Sequence, residues 1–453
     1  MRRRDFLAQS TFFGVGIAGS PLIFSSCNNE KKIVGNLRTY TSEELGMFSF
    51  VETAPDGKPL KAALVGCGDR GTGAATQFLS SGPNVSIVAL VDIFADRMAI
   101  CRDILKEKFN NEVPDNNCFL GFDAYKKVME MSEIDVVLLC TPTYFRPEHF
   151  KAAVDASKHI FMEKPCAVDP VGIRTVIAAA RVSQTKGLTV VTGNQRRHRL
   201  DYWEAYQHVR NGMIGDVVSA TAHWNQGAWW NKRKRPEWSD MEYNIRNWFN
   251  IKWLSGDHLL DQAIHNIDIV NWFTGLRPVK AIGYGGRAQR LTGDIFDFFS
   301  VDYHYENNKR MLATARQIDG CDNNVSEQII GSKGVMMLND GRNIHCLDYD
   351  GNEVWRYDNQ GKPVKNPYEQ EHIHLVESIR LDKKINQAED LAYSTLIAIL
   401  GREAAYTGRV ITWDEIMSSN LKYGPDKYEM GSLPDYHEGI APKPGRAPDA
   451  PVL

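Results

Sequence analysis

The sequence carries no excess of either charge: 53 Lys and Arg stand against 56 Asp and Glu, for a formal net charge of −3. Nothing global therefore holds a polyanion or an acidic membrane surface, and nucleic acid is not an expected partner. Paired cysteines are missing as well. None of the eight Cys lies in a CxxC arrangement, which removes the usual signs of structural zinc or a redox dithiol, and most read as small buried hydrophobes. There is no GxSxG to hold a serine nucleophile and no repeat at solenoid periods. Long apolar runs are absent too, since the stretch from Thr11 to Phe24 is short and glycine-rich for a membrane-spanning helix. What remains is an ordinary globular composition, 43% hydrophobic and 24% charged, in 453 residues, enough for two or three domains.

The N-terminus reads as an address. Arg3-Arg4-x-Phe6-Leu7 ahead of the apolar stretch resembles a twin-arginine export signal, a route that carries folded proteins. Phe24-Ser25-Ser26-Cys27 resembles a lipoprotein cleavage box, with Phe where Leu is usual. A lipid anchor at Cys27 and a plain cleaved signal both fit residues 1–27. Residues 28–60 are polar, with the turn Pro55-Asp56-Gly57-Lys58-Pro59, and suggest a linker or arm.

Three unalternated apolar runs follow, 61–65, 87–91 and 136–140, separated by helical stretches. Such runs suit parallel strands buried on both faces, so 61–190 is expected to be an α/β domain of βαβ units, and with the glycine turn described next a dinucleotide-binding Rossmann domain. From 191 to 430 alternating segments, 217–223 and 298–305 among them, predict an α+β domain with a large, mostly antiparallel sheet. A helix at about 387–407 is expected to pack back on the first domain, and 431–453 forms a Pro-rich tail.

Gly66-Cys67-Gly68-Asp69-Arg70-Gly71 fits GxGxxG between a strand and a helix, and Asp92 closes the next strand 21 residues later. Such glycines admit a diphosphate to a helix N-terminus, and the acid binds a ribose 2′-OH. Like-charge repulsion makes NAD the expected cofactor over NADP, with nearby Arg97 as the counter-indication.

Two further groups share this context. Thr141-Pro142 ends a strand with His149 downstream, and Glu163-Lys164-Pro165 ends the next; Thr141, Pro142, His149, Glu163 and Lys164 are expected to bind the cofactor together with Asp69 and Arg70 of the turn. Gly256 to Asp268 holds Asp261 and His265, four apart and so on one face of a helix. A metal reading of His258, Asp261, His265 and Asp268 is weaker, because seven residues separate the two His, about two turns. Together the glycine turn, the Thr-Pro pair with its His, Glu163-Lys164-Pro165 and the Asp261 segment resemble the Gfo/Idh/MocA oxidoreductases from 61 to about 420. The resemblance implies a catalytic trio of Lys164, Asp261 and His265, with His265 as general base and Lys164 orienting the substrate oxygen. It also implies a homo-oligomer packed through the second sheet.

Six of the ten Trp fall between Trp224 and Trp253. Flat faces with polar tips suit sugar rings, so Trp229 and Trp230, with Arg196, Arg197, His198, Asn225 and His258, are expected to bind a carbohydrate. A Trp-rich core or interface is the competing reading. Lys232-Arg233-Lys234-Arg235 reads as a solvated loop. The expected activity is a hydride transfer between a sugar or glycoside secondary alcohol, such as C3, and tightly bound NAD. The alternatives are an NAD-dependent glycosidase resembling family 109, against which Glu163-Lys164-Pro165 counts, and a non-catalytic sugar-binding lipoprotein.

Overall fold

In the computed structural model, residues 39–433 are described apart from 340–342, 362–364 and 426. The export signal, Cys27 and most of the Pro-rich tail lie outside the described residues. The first sheet holds β1 (Leu60–Val65), β2 (Val85–Asp92), β3 (Cys118–Leu120), β4 (Val136–Leu139), β5 (His159–Met162) and β6 (Val190–Thr192). Its order is β3-β2-β1-β4-β5-β6 and every pairing is parallel. The order reverses between β1 and β4, which is where a crevice opens at the carboxyl ends of the strands. All four residues of β4 and five of the six of β1 are buried, as a sheet covered on both faces requires.

The second sheet has nine strands: β7 (Val217–Gln226), β8 (Lys280–Gly286), β9 (Phe298–His304), β10 (Arg310–Gln317), β11 (Asn324–Gly331), β12 (Gly334–Leu338), β13 (His345–Asp348), β14 (Glu353–Arg356) and β15 (Ile411–Thr412). Their order is β14-β13-β12-β11-β7-β10-β9-β8-β15, antiparallel except for β7 against β10. One face is covered and the other is open. Along β7, Ala220 and Ala222 are buried while Thr221 and His223 are only half-covered, the period of two expected of such a sheet.

The helix Ala388–Thr407 joins the two halves, packing on the helix Pro170–Thr185 on one side and on β8 and β9 on the other. It is buried along almost its whole length, which is why most of its residues are apolar, with buried Arg402 and Glu403 paired to each other. The described part of the N-terminal arm is docked. Phe48 stacks on His198 with ring centroids 5.2 Å apart, and Ala54 N donates to Ser81 O at 2.8 Å. Among the described residues no helix is long and apolar enough to cross a membrane.

Candidate active site

The glycine turn is built for close approach. Gly66 has φ +98°, and a Cβ there would fall 2.8 Å from the carbonyl carbon of Cys140; one on Gly71 would fall 1.8 Å from Gly66 O. Only glycine fits either place. Gly68 is the N-cap of the helix Asp69–Ser80, no side chain caps that helix, and Gly68, Asp69 and Arg70 line the crevice. A cavity of about 570 Å³ opens here, lined by Gly66, Gly68, Asp69, Arg70, Gly71, Asp92, Arg97, Thr141, Pro142 and His149 among others. These features fit a dinucleotide: a side-chain-free cradle for the diphosphate and an acid at the end of β2. Asp92 also holds the turn itself, accepting from Cys67 N at 2.6 Å and Phe94 N at 2.8 Å. Burial raises its pKa, against the pull of those two amides.

Beside the cavity stands a second cluster. Lys164 Nζ donates to the main-chain carbonyl of Asp261 and lies 3.9 Å from its Oδ1. Burial pulls the Lys164 ammonium down, while the Asp261 and Glu163 carboxylates resist. Burial, and then the positive charges of Lys164 and Arg196, push His265 well below the ordinary imidazole range. Lys164, Asp261 and His265 thus form one electrostatic unit. They adjoin the cavity rather than line it: Arg70, on the cavity wall, pairs with Glu163, the residue before Lys164.

The Asp261–His265 pair does not ride on one straight helix. Asp261 ends a short helix, His258–Asp261, and His265 lies in the next, Ile264–Thr274, with Gln262 and Ala263 between. Gln262 Nε2 caps the Asp261 carboxylate at 2.6 Å.

The supports of this cluster are two buried arginines that carry no motif. Arg402, fully buried, donates to Val168 O at 2.8 Å and Gly256 O at 2.9 Å, tying the chain just after Lys164 to the chain just before Asp261. Arg146 donates to Pro165 O at 2.6 Å from the other side. The Trp224 ring lies 5.4 Å from that of His265, and the Arg196 guanidinium lies 5.7 Å over the same Trp224 ring. An arginine on a helix face reads as surface charge until its carbonyl partners are known, so no local signal marked Arg402 or Arg146.

Several residues expected to bind substrate do something else. Arg197 is locked in a fork with Asp268, at 2.8 Å on both oxygens, and His198 Nδ1 lies 2.7 Å from His374 Nδ1 beneath Phe48. His258 is fully buried, with Nδ1 3.0 Å from Asp257. With His258 and Asp268 so committed, the four candidate metal ligands do not converge. Asn225 points to the opposite face of β7 from Trp224 and donates to Thr314 Oγ1 at 3.0 Å. Arg196 is near His265 but pairs with buried Glu327. Trp229 and Trp230 wall the dinucleotide cavity, not the trio.

The chain matches a family model described as an oxidoreductase family with an NAD-binding Rossmann fold over residues 60–192, and the GFO/IDH/MocA C-terminal domain over 202–337. It is 24% identical over 232 residues to the D-glucoside 3-dehydrogenase of Escherichia coli, covering 51% of this chain and 59% of that enzyme. It is also 24% identical over 269 residues to a glycosyl hydrolase family 109 protein of Phocaeicola vulgatus, covering 55% of this chain and 49% of that protein. The fold is that of scyllo-inositol dehydrogenase from Lactobacillus casei, solved with NAD(H) and scyllo-inositol: TM-score 0.59 at 21% identity, over 78% of this chain and 99% of that one. With both domain models placed in tandem from residue 60 to 337 around this turn and this cluster, the chain belongs to the Gfo/Idh/MocA oxidoreductases and carries their NAD-binding Rossmann domain.

Proposed function

We propose that this protein is an NAD-dependent dehydrogenase of a sugar or glycoside, acting on a ring secondary alcohol such as that at C3. The observation that carries the reading is the Lys164 ammonium held against Asp261 with a neutral His265 in the same field. An NAD whose diphosphate is held by the glycine turn would supply, through its nicotinamide, a two-electron acceptor for the hydride from carbon. The protein's own residues handle the proton. Lys164 Nζ spends one N–H on the Asp261 carbonyl and presents the others to the substrate oxygen, favouring alkoxide character there. His265, neutral at pH 7, accepts the hydroxyl proton, a role that contributes a factor of about 10²–10⁴ in rate. Relatives named for glucoside and inositol oxidation support the substrate class.

Incubating the purified protein with a panel of glycosides and analysing products by mass spectrometry tests this. A ketosugar is expected. Release of free aglycone instead would establish the family 109-like alternative, toward which two relatives point. No turnover on any glycoside would leave a binding protein.

The N-terminal residues support a further reading, export by the twin-arginine route with an anchor at Cys27. A protein exported folded carries its NAD with it and regenerates it on a second substrate. Arg3→Lys with Arg4→Lys should leave the protein in the cytoplasmic fraction. A homo-oligomer through the open sheet face is proposed on family grounds, and light scattering in solution tests it.

A further inference from the structure

The basic run 232–235 does not behave as one solvated loop. Lys234 pairs with Asp240 at the surface, and Arg235 lies 4.9 Å over the Trp238 ring. Lys232 instead lines the dinucleotide cavity, together with Gly68, Asp69 and Arg97.

Two fully buried asparagines set that placement. Asn247 Oδ1 accepts from Lys232 N at 2.8 Å, and Asn250 Nδ2 donates to Trp230 O at 3.2 Å and to Asn247 Oδ1 at 2.9 Å. With the main chain pinned at 230 and 232, Trp229 stacks on Phe249 at 5.2 Å and Lys232 Nζ lies 5.7 Å over Trp230. The segment is anchored across the crevice as well. Arg246 donates to both Asp96 oxygens, at 3.0 and 3.1 Å, and its guanidinium sits 3.9 Å over Phe94, at the mouth of the β2 loop.

Among the described residues neither Arg97 nor Lys232 takes part in an ion pair, although both face the cavity. Two cations lining one partly buried cavity repel unless an anion lies between them. Burial and then Arg97 pull the Lys232 ammonium down, with Asp69 opposing. We infer that Lys232 is a ligand of the dinucleotide's diphosphate, supplied by the 227–250 segment and acting opposite Arg97 and the glycine turn. This rests on the cavity being the NAD site. It makes the cofactor site two-sided: the first domain cradles the diphosphate from below, and the second domain's segment closes on it with one charge and two indoles. A cofactor so held leaves slowly, as a protein that regenerates NAD in place requires.

The test follows NADH release by stopped flow, read as loss of energy transfer from the cavity tryptophans, with ADP-ribose affinity measured in parallel. Lys232→Ala should speed release roughly tenfold or more, the usual size for loss of a charged hydrogen bond, and weaken ADP-ribose by a similar factor with a shallower salt dependence. Lys232→Arg should restore most of both, and Lys234→Ala should match the wild type. Unchanged release in Lys232→Ala would overturn the inference, as would a loss for NADH without one for ADP-ribose. A wild-type protein that takes up no NADH would instead remove the cavity assignment, and this inference with it.

Discussion

Lys164 and Asp261, 97 positions apart, meet through a main-chain carbonyl: the ammonium donates to Asp261 O while the carboxylate Oδ1 stands off at 3.9 Å. The lysine is therefore positioned by backbone and only attracted by the side chain. Two of its protons remain for a substrate oxygen.

Lys164→Ala and His265→Ala should each lower kcat by about 10²–10⁴ while NADH binding stays near wild type, because neither residue lines the dinucleotide cavity. Steady-state kinetics beside a fluorescence titration separate the two effects. Full activity in both variants would remove the cluster from the reaction.

Asp92→Ala should relax the preference for NAD over NADP, and should also loosen the glycine turn. Its carboxylate holds the amides of Cys67 and Phe94, so the loss leaves two donors unmet and costs about 1–3 kcal/mol of stability. Asp92→Asn keeps an acceptor and should recover part of the stability but not the selectivity. Cofactor titrations and urea midpoints on the pair of variants check both halves.

Arg197→Ala should unfold more readily, by about 3–5 kcal/mol, since it leaves buried Asp268 without its fork. Residual activity per folded molecule should show an unchanged KM. A raised KM with unchanged stability would return Arg197 to the substrate.

Acid should destabilise the fold well before the carboxylates titrate. Burial pushes His149 down to about 3 and His374 to about 4, and pushes His198, His265 and His372 well below the ordinary 6.5. These groups bind protons in the unfolded chain before they do in the folded one. Their contribution is complete above about pH 6.5 and is lost as pH falls through 6.5 toward 4 and 3, with a slope of about 1.4 kcal/mol per unit for each proton. Urea midpoints that stay level from pH 7.5 to 5 would contradict this.

The parallel sheet was legible because its strands are buried on both faces and read as unbroken apolar runs, as β4 shows. The glycine turn was legible because its chemistry is local: Gly66, Gly68 and Gly71 act through the backbone within six residues. Arg196, Arg197 and His198 look alike in sequence, three polar residues after a strand. Their roles depend on Glu327, Asp268 and His374, which lie 131, 71 and 176 positions away.

By itself the sequence determined the α/β plan with its parallel and antiparallel sheets and the glycine turn of a dinucleotide site, whereas the grouping of Lys164, Asp261 and His265 came from the family resemblance and not from their spacing. Periodicity and backbone-level motifs are short-range properties, and they survive without knowledge of the fold. Only the tertiary structure decided which charges face a cavity and which are consumed in pairs. Arg402 and Arg197 became internal struts, while Lys232, in a run that reads as solvated, came to the cofactor wall. That outcome depends on desolvation and on partners brought together from distant segments, quantities that no window of sequence contains.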